Sequence, residues 1–477
     1  MINYQNHDAT TLARLVRDGV VTAGELLDAA LEQMEKVNPR INAVVLVREQ
    51  EARRHIAAGL PNGPLRGVPL LLKDLNTPAA GFPSHNGSTL LRNTTYMRNN
   101  TLVDRLQAAG LVIFGRTTSP EGGIGAVTEA AVYHAPTRNP YDLSRTPGGS
   151  SGGAAAAVAS GILPAAHGSD GGGSVRIPAS CCGLFGFKPT RARLPYGPFA
   201  SEGWAGMATA GFLTRSVRDT ALLLDITQGT DSGAPYAAPP LKSTFVAALK
   251  TPPRPLRIAL CDTSFTGARI HPDCAAAVHD AARLLSDMGH TITPAVPLAD
   301  TTGMMMAWTD IVACGTALAI ETAVKSRGRA LDPSEIEGVS RGALAHAKTI
   351  SGTAYLAAIS KIHSYGREMA AFFDHFDVLL TPTLAEPPAK IGRFAHNRED
   401  YVDYRTGPDG IFAYSPFAAA FNASGQPAAS VPLHYNTSGL PIGIHLATRF
   451  GEDELLMSLC AALEKARPWF THRPALH

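Results

Sequence analysis

Residues 67–74 of the chain are Gly-Val-Pro-Leu-Leu-Leu-Lys-Asp, an apolar run that ends in a charged pair. Such a run is typical of a strand that is buried on both faces of a sheet. A second run, Leu111-Val-Ile-Phe114, follows a stretch of helical periodicity over residues 102–109. Because helices and buried strands alternate along the chain, the sequence predicts a layered α/β fold.

The flanking sequence extends this pattern. Thr22 and Glu25 form a capping box that starts a helix, which Asn38-Pro39 is expected to stop. Further elements are expected as helices over 274–288 and 353–373, and as strands over 257–261, 378–381, 429–433 and 442–446. The Pro-rich stretch 234–255 allows a linker, but the apolar strands on both sides of it favour one continuous sheet. We therefore predict one large domain.

The composition excludes several classes of partner. The 477 residues include 42 Lys+Arg and 40 Asp+Glu, a net charge of +2, which argues against nucleic acid or an anionic membrane as partner. The start of the chain has no basic segment followed by an apolar one, and we recognise no membrane span. Six cysteines without zinc-site spacing favour reduced structural thiols: 181, 182, 261, 274, 314 and 460. We expect a cytoplasmic enzyme.

Lys73 is unusual because it continues the apolar run. It could be a buried lysine paired with Asp74, or its stem could reach water while the ammonium stays charged. Alternatively, burial lowers its pKa, and the neutral amine serves as a base near neutral pH.

Two glycine-rich segments follow. Residues 146–153 place Ser150 and Ser151 between two glycine pairs, which suits either a flexible linker or a tight loop; the Ala-rich, helix-like segment after it favours the loop. Residues 168–178 place Gly171, Gly172 and Gly173 directly before Ser174, so that successive N–H groups can converge on an anion or an oxyanion. No Gly-Lys-Ser/Thr motif follows, which disfavours a nucleotide site. Asp170 and Arg176 flank this loop and could pin it by a charge-assisted hydrogen bond.

Together these motifs resemble the amidase signature family. The matching residues are Gly67 to Asp74, Gly148 to Gly153, and Gly168 to Arg176, with Ser150 and Ser174 spaced 24 residues apart. The resemblance continues through Gly186-Phe-Lys-Pro-Thr190 and Leu379-Leu-Thr-Pro-Thr383 to Gly439-Leu-Pro-Ile-Gly443. It implies an α/β fold in which one large domain, 1–477, has a mixed central sheet covered by helices on both faces. A signature core at about 60–230 and a helical, pocket-forming region at about 265–375 would lie within that domain.

The resemblance also implies the chemistry. Ser174 would be the nucleophile, Ser150 in a cis peptide the proton relay, and Lys73 the base. The N–H groups of Gly171, Gly172, Gly173 and Ser174 would form the oxyanion hole, with Ser151, Asp170 and Arg176 in support. The reaction would be hydrolysis of a small amide or carbamate by water, without metal or cofactor, in a monomer or homodimer.

Some residues depart from the common family pattern, and others suggest a branch. Ser169 and Gly171 stand where many relatives have threonine. Ser174 to Ser180 and Arg467-Pro-Trp-Phe470 are similar to a branch with cyclic nylon-oligomer hydrolases and urethane-cleaving amidases. By their position in the family pattern, the resemblance implies that Gly123 and Ile124 present backbone to the substrate. The candidate side chains of the pocket are Met305, Trp308, Cys314, Tyr196, Trp204 and Tyr414, although composition favours a simple core helix for Met304 to Trp308.

Two other enzyme classes remain open. The catalytic subunit of a tRNA-dependent amidotransferase shares the same triad, but we recognise no glutamine-binding segment between residues 330 and 375. A Ser-His-Asp α/β-hydrolase would use Ser150 as the nucleophile, because Gly148-Gly-Ser-Ser-Gly152 matches the G-x-S-x-G pattern. His167, the histidine nearest to Ser174 in sequence, is expected to be structural.

Overall fold

The computed structural model describes residues 3–476, which form eleven strands and sixteen α-helices in a mixed α/β domain. The strands are β1 (Val44–Val47), β2 (Pro69–Lys73), β3 (Val112–Thr117), β4 (Ala165–Asp170), β5 (Phe185–Lys188), β6 (Thr209–Thr214), β7 (Arg257–Leu260), β8 (Thr291–Pro294), β9 (Val378–Pro382), β10 (Ala428–Tyr435) and β11 (Pro441–Thr448). The helices are α1 (Ala9–Arg17), α2 (Ala23–Ile41), α3 (Glu49–Ala57), α4 (Thr101–Ala108), α5 (Gly152–Ala159), α6 (Arg176–Cys181), α7 (Val217–Thr227), α8 (Phe245–Ala248), α9 (Pro272–Asp287), α10 (Thr301–Arg327), α11 (Gly338–Ala347), α12 (Gly352–Phe372), α13 (Tyr401–Thr406), α14 (Ile411–Tyr414), α15 (Ala418–Ser424) and α16 (Asp453–Ala466).

The strands form two sheets that meet at one edge. The larger sheet has the order β4-β6-β5-β10-β11-β9-β7-β8, antiparallel as far as β9 and parallel beyond it. The smaller sheet has the order β1-β3-β2, and β2 lies beside β4 of the larger one. Among the described residues no backbone ladder joins β2 to β4, so the predicted central sheet is divided at this point. Helices flank the sheet, as predicted.

Most of the predicted elements are present. The run 67–74 contains β2, all five residues of which are buried, and the capping box of Thr22 and Glu25 starts α2. One boundary was wrong: α2 continues through Pro39 to Ile41 and ends at Asn42, which has a left-handed conformation. Strands on both sides of 234–255 belong to the larger sheet, as predicted.

The Gly- and Ala-rich middle of the chain contains structure that the sequence did not indicate. β4, β5 and β6 form one end of the larger sheet, although β4 lacks an apolar run. Helix α5 begins directly after Ser151, and all eight of its residues are buried. The glycine-serine segment before it is therefore part of the packed interior rather than a flexible linker.

Helix α10 is long and apolar enough to cross a membrane by length and composition. However, 61% of its most apolar window is buried inside the protein, as is usual for a core helix. It packs against α11, α12, α13 and α15, and its first half lies close to the glycine-rich loops. All six cysteines are free thiols, as predicted.

Candidate active site

Lys73 is the last residue of β2 and is fully buried. Its Nζ lies 2.7 Å from Ser150 Oγ and 2.9 Å from Ser169 Oγ. Burial lowers the pKa of Lys73 to about 7, because the charged form has lost its water, while the charge of Asp170 acts in the opposite direction. The amine is therefore neutral in a large fraction of molecules near neutral pH, as a general base requires.

Asp74 does not pair with Lys73, so that alternative is wrong. The Asp74 carboxylate accepts hydrogen bonds from Ser84 Oγ at 2.6 Å, from Tyr133 Oη at 2.7 Å and from the N–H of His85 at 2.9 Å. These bonds satisfy the carboxylate within its own network. The Lys73 amine forms its hydrogen bonds with hydroxyl groups instead of with the Asp74 carboxylate.

Ser150 follows a cis peptide bond with Gly149, as the resemblance implied. The loop that carries it is tightly packed: a Cβ at Gly149 would lie 2.5 Å from the carbonyl oxygen of Val127. On the other side, a Cβ at Gly123 would lie 3.5 Å from Ser150 Oγ. The structure therefore places Gly123 beside the candidate relay, where its backbone could face a substrate.

Ser174 lies next to this loop. The N–H of Ser151 donates to the carbonyl oxygen of Ser174 at 3.2 Å, and the Ser151 hydroxyl bonds both backbone groups of Ser169. The exposed fraction rises from 0% for Lys73 through 2% for Ser150 to 8% for Ser174. Of the three, Ser174 is the residue that a molecule entering from solvent reaches most easily.

Asp170 and Arg176 hold the glycine loop, as predicted. The carboxylate of Asp170 accepts from Arg176 Nε at 3.0 Å and Nη2 at 2.9 Å, from the N–H of Gly173 at 2.8 Å, and from Asn422 Nδ2 at 2.9 Å. Both ion-pair partners are fully buried. Burial raises the pKa of Asp170, but the charge and hydrogen bonds of Arg176 outweigh it and hold that pKa well below its usual range.

These contacts reduce the number of N–H groups that the predicted oxyanion hole can use. The N–H of Gly173 is already engaged by Asp170, so it is not available to an oxyanion while that bond holds. Gly173 has a φ of 120°, a conformation that side chains disfavour. For the N–H groups of Gly171, Gly172 and Ser174 the oxyanion role stays a prediction.

An aromatic wall covers the glycine loop. Trp308 Nε1 donates to the carbonyl oxygen of Gly171 at 3.2 Å, and a Cβ at Gly172 would lie 2.8 Å from the Trp308 ring. A Cβ at Gly171 would lie 2.5 Å from the ring of Trp204, which packs edge-on against Trp308 with centroids 5.5 Å apart. Trp308 thus belongs to α10 and its packed core and also touches the loop.

The other predicted pocket residues have different places. Met305 is buried in the same apolar cluster as Trp308, whereas Cys314 is half-buried on α10, one residue before the glycine that packs on Trp204. Tyr196 lines a cavity of about 40 Å³ bounded by residues 191–209 and 230–236, and none of the three triad candidates lines it. Tyr414 is fully buried with its hydroxyl near Cys181, a core position.

Arg405 is a residue that the sequence analysis missed. It is 2% exposed, its Cζ lies 4.2 Å from the Trp308 ring centroid, and its Nη1 donates to the carbonyl oxygen of Ile124 at 3.2 Å. It therefore connects two segments that border the serines. Its partners are distant in sequence and no motif surrounds it. Among residues 3–476, no group of three or more His, Cys, Asp or Glu side chains is arranged to hold a metal ion.

Comparison with known proteins identifies the family. The model of the family described as Amidase matches residues 25–457. A 6-aminohexanoate-cyclic-dimer hydrolase of Paenarthrobacter ureafaciens is 36% identical over 98% of this chain and 96% of its own length. A solved structure of 6-aminohexanoate cyclic dimer hydrolase superposes with a TM-score of 0.93 at 34% identity over both whole chains. A bacterial aryl acylamidase described as one of the amidase signature enzymes reaches 0.86 at 29% identity, covering 97% and 96% of the two chains. The chain belongs to the amidase signature family and is an amide hydrolase.

Proposed function

We propose that this enzyme hydrolyses amide-type C–N bonds of small, largely apolar or aryl molecules through an acyl-enzyme on Ser174. The observation that carries the proposal is the contact of 2.7 Å between Lys73 Nζ and Ser150 Oγ, at a lysine whose pKa burial lowers to about 7. A neutral amine that faces a hydroxyl can accept its proton, whereas a charged one cannot. Ser174, the most exposed of the three, is the nucleophile.

The acylation step moves one proton along the three side chains. Lys73 takes the proton of Ser150, and Ser150 takes the proton of Ser174 as Ser174 Oγ forms a bond to the carbonyl carbon. The π electrons of the carbonyl move to its oxygen, which the loop N–H groups of Gly171, Gly172 and Ser174 bind. Donors of this kind are worth about 3–4 kcal/mol of transition-state stabilisation each. When the tetrahedral intermediate collapses, the C–N bond breaks, and Lys73 returns the proton through Ser150 to the leaving amine.

Deacylation repeats these steps with water. Water loses a proton to the Ser150–Lys73 pair and attacks the acyl carbon, and the bond to Ser174 Oγ breaks as the proton returns to that oxygen. With a carbamate, the alcohol leaves as Ser174 is carbamoylated. Water then releases a carbamic acid, which loses CO2 to give the free amine. No step calls for a metal or a cofactor.

The apolar wall supports the proposed substrate class. Trp204, Trp308 and Phe412 form successive edge-to-face contacts beside the glycine loop, with Trp308 and Phe412 centroids 5.5 Å apart. Aromatic side chains favour flat or apolar ligand groups. The relatives whose names refer to a cyclic amide dimer and to aryl acylamides point to the same kind of substrate.

The structure favours Ser174 over Ser150 as the nucleophile. The Ser150 hydroxyl is bonded to Lys73 and is 2% exposed, and among the described residues its partner is this lysine rather than a histidine. The Ser-His-Asp hypothesis needs a histidine at that place. The amidotransferase hypothesis predicts that the chain copurifies with partner subunits and transfers the amide nitrogen of glutamine.

A three-substrate assay tests the proposal. The purified enzyme and Ser174→Ala are compared on 6-aminohexanoate cyclic dimer, a 4-nitroanilide and the matching aryl carbamate, with exposed Ser438→Ala as the control. We expect turnover of at least one substrate, lost by about 10³-fold or more in Ser174→Ala and unchanged in the control. Equal turnover by wild type and Ser174→Ala would refute the proposed nucleophile, and glutamine-dependent transfer without hydrolysis of the three would favour the amidotransferase.

A further inference from the structure

The backbone of Lys73 lies at the gap between the two sheets. In the smaller sheet Lys73 pairs with Thr117 of β3, and the next N–H, that of Asp74, donates to the Thr117 carbonyl at 2.9 Å. The N–H of Lys73 itself points the other way, towards β4, where no backbone ladder is formed among the described residues. A buried N–H without an acceptor costs about 1–3 kcal/mol, so a partner from outside the ladder is needed.

His167 on β4 supplies that partner. Its Nδ1 lies 3.3 Å from the backbone nitrogen of Lys73 and accepts the hydrogen bond from that N–H. The imidazole is 2% exposed. On the opposite side of the same residue, Arg116 Nη1 donates to the Lys73 carbonyl oxygen at 3.1 Å. Both backbone groups of Lys73 are therefore held by buried side chains of the two neighbouring strands.

The imidazole can serve as an acceptor only when it is neutral, with its proton on Nε2. Burial lowers the pKa of His167 to about 3, and the nearby charges of Lys73 and Arg116 act in the same direction. Geometry and electrostatics therefore agree: the ring stays neutral across the working pH range.

We propose that His167 is a positioning residue, which holds Lys73 in reach of Ser150 by accepting its backbone N–H across the gap between the sheets. The inference rests on the proposed function, since it takes Lys73 to be the base. Lys73 ends its strand, so without His167 its main chain is fixed on the β3 side alone. A displacement of about 1 Å at a reacting group costs on the order of 10²-fold in rate.

The test compares His167→Asn with His167→Leu. The side-chain oxygen of asparagine is bonded to Cγ, as Nδ1 is in histidine, so it can accept the same hydrogen bond. Leucine branches at the same atom but has no acceptor. We expect His167→Leu to lower kcat by about 10- to 100-fold and His167→Asn to recover most of that loss. His290→Leu is the matched control, because His290 Nδ1 also accepts a buried backbone N–H, that of Leu256, at 3.2 Å but away from the site.

The pH profile separates positioning from stability. The groups that face Lys73 are Asp170 and His167 on β4 and Arg116 on β3, and only the histidine is changed. A loosened strand end lets water reach the amine, so its pKa rises and the acid limb of kcat moves to higher pH by about half a unit or more. His290→Leu should lower Tm as much as His167→Leu does, without moving that limb.

Two results would overturn the inference. Wild-type kcat and an unmoved acid limb in folded His167→Leu would do so. If His167→Leu does not fold, His167→Gln replaces it. The glutamine oxygen lies near the position of Nε2 rather than Nδ1, so equal kcat in the Asn and Gln variants would also reject the role of Nδ1. Lys73→Met distinguishes failure of the His167 inference from failure of the proposed function. Full activity in Lys73→Met would reject Lys73 as the base, whatever the role of His167.

Discussion

The buried pair of Asp170 and Arg176 makes a quantitative prediction about the glycine loop. Both side chains are 0% exposed, and two hydrogen bonds of 2.9 and 3.0 Å join them. Asp170→Asn keeps the shape of the side chain but removes its charge and turns one accepting oxygen into a donor. The guanidinium is left buried without an ion-pair partner, at a cost of about 3–5 kcal/mol.

The corresponding shift in melting temperature follows from the size of the chain. An unfolding entropy of about 2.1 cal/mol/K per residue amounts to about 1 kcal/mol/K for the whole chain, so Tm should fall by about 3–5 °C. Asp28→Asn is the matched control, since Asp28 and Arg53 form an ion pair that is 57% and 44% exposed. An exposed pair of this kind contributes less than about 1 kcal/mol, and its loss should lower Tm by less than about 1 °C.

Scanning calorimetry at pH 5 and pH 7 is the assay. The folded-state pKa of Asp170 lies below its unfolded value, so its contribution is complete above the unfolded pKa near 4 and is lost only in stronger acid. The deficit of Asp170→Asn should therefore be present at both pH values. It should be larger at pH 5, because loss of the Asp170 charge also disfavours the protonated form of Lys73, whose pKa is about 7. The value of kcat should fall because the Gly173 N–H loses the carboxylate that holds the loop. An Asp170→Asn variant that melts within 1 °C of wild type with unchanged kcat would refute the role of this pair.

Three further predictions concern the candidate catalytic residues and the loop beside them. The rate should rise with pH through about 7 as Lys73 loses its proton, and Lys73→Met should lower kcat by about 10²- to 10⁴-fold; a flat pH–rate profile would contradict the lysine base. Gly171→Ala should lower kcat by at least about 10²-fold because its Cβ would lie 2.5 Å from Trp204, whereas Gly352→Ala, with open space around its Cβ, should be neutral in the same assay. Trp308→Phe removes the hydrogen bond to the Gly171 carbonyl and should raise KM or lower kcat by about 10-fold in steady-state kinetics. Unchanged constants would mean that the aromatic wall does not hold the glycine loop in its active conformation.

Much of the fold and the centre of the candidate site could be predicted from local sequence. β2 is an apolar run, and Lys73, Ser150 and Ser174 each stand in a distinctive segment that the family resemblance connects. The sequence did not indicate β4, because its residues Ala165 to Asp170 carry neither an apolar run nor alternation. That strand is stabilised by its pairing with β6, a contact that no local pattern encodes.

The residues that surround the triad candidates were harder to predict for the same reason. His167 meets Lys73 across 94 residues of sequence, and Arg405 meets Ile124 across 281. Neither residue belongs to a recognisable motif. Each contacts a backbone group, the N–H of Lys73 or the carbonyl of Ile124, and only the folded structure shows which of these groups lack a partner in the main chain. The engagement of the Gly173 N–H by Asp170 was also invisible, since a run of three glycines suggests equivalent donors.

The most direct test of the central claim is to trap the acyl-enzyme. The enzyme is incubated with an aryl carbamate whose carbamoyl-enzyme hydrolyses slowly, and intact-mass spectrometry with peptide mapping then locates the added group. We predict one carbamoyl group per chain, on Ser174, formed faster as the pH rises through about 7, and absent from Ser174→Ala. A group mapped to Ser150, or equal labelling of Ser174→Ala, would contradict the account.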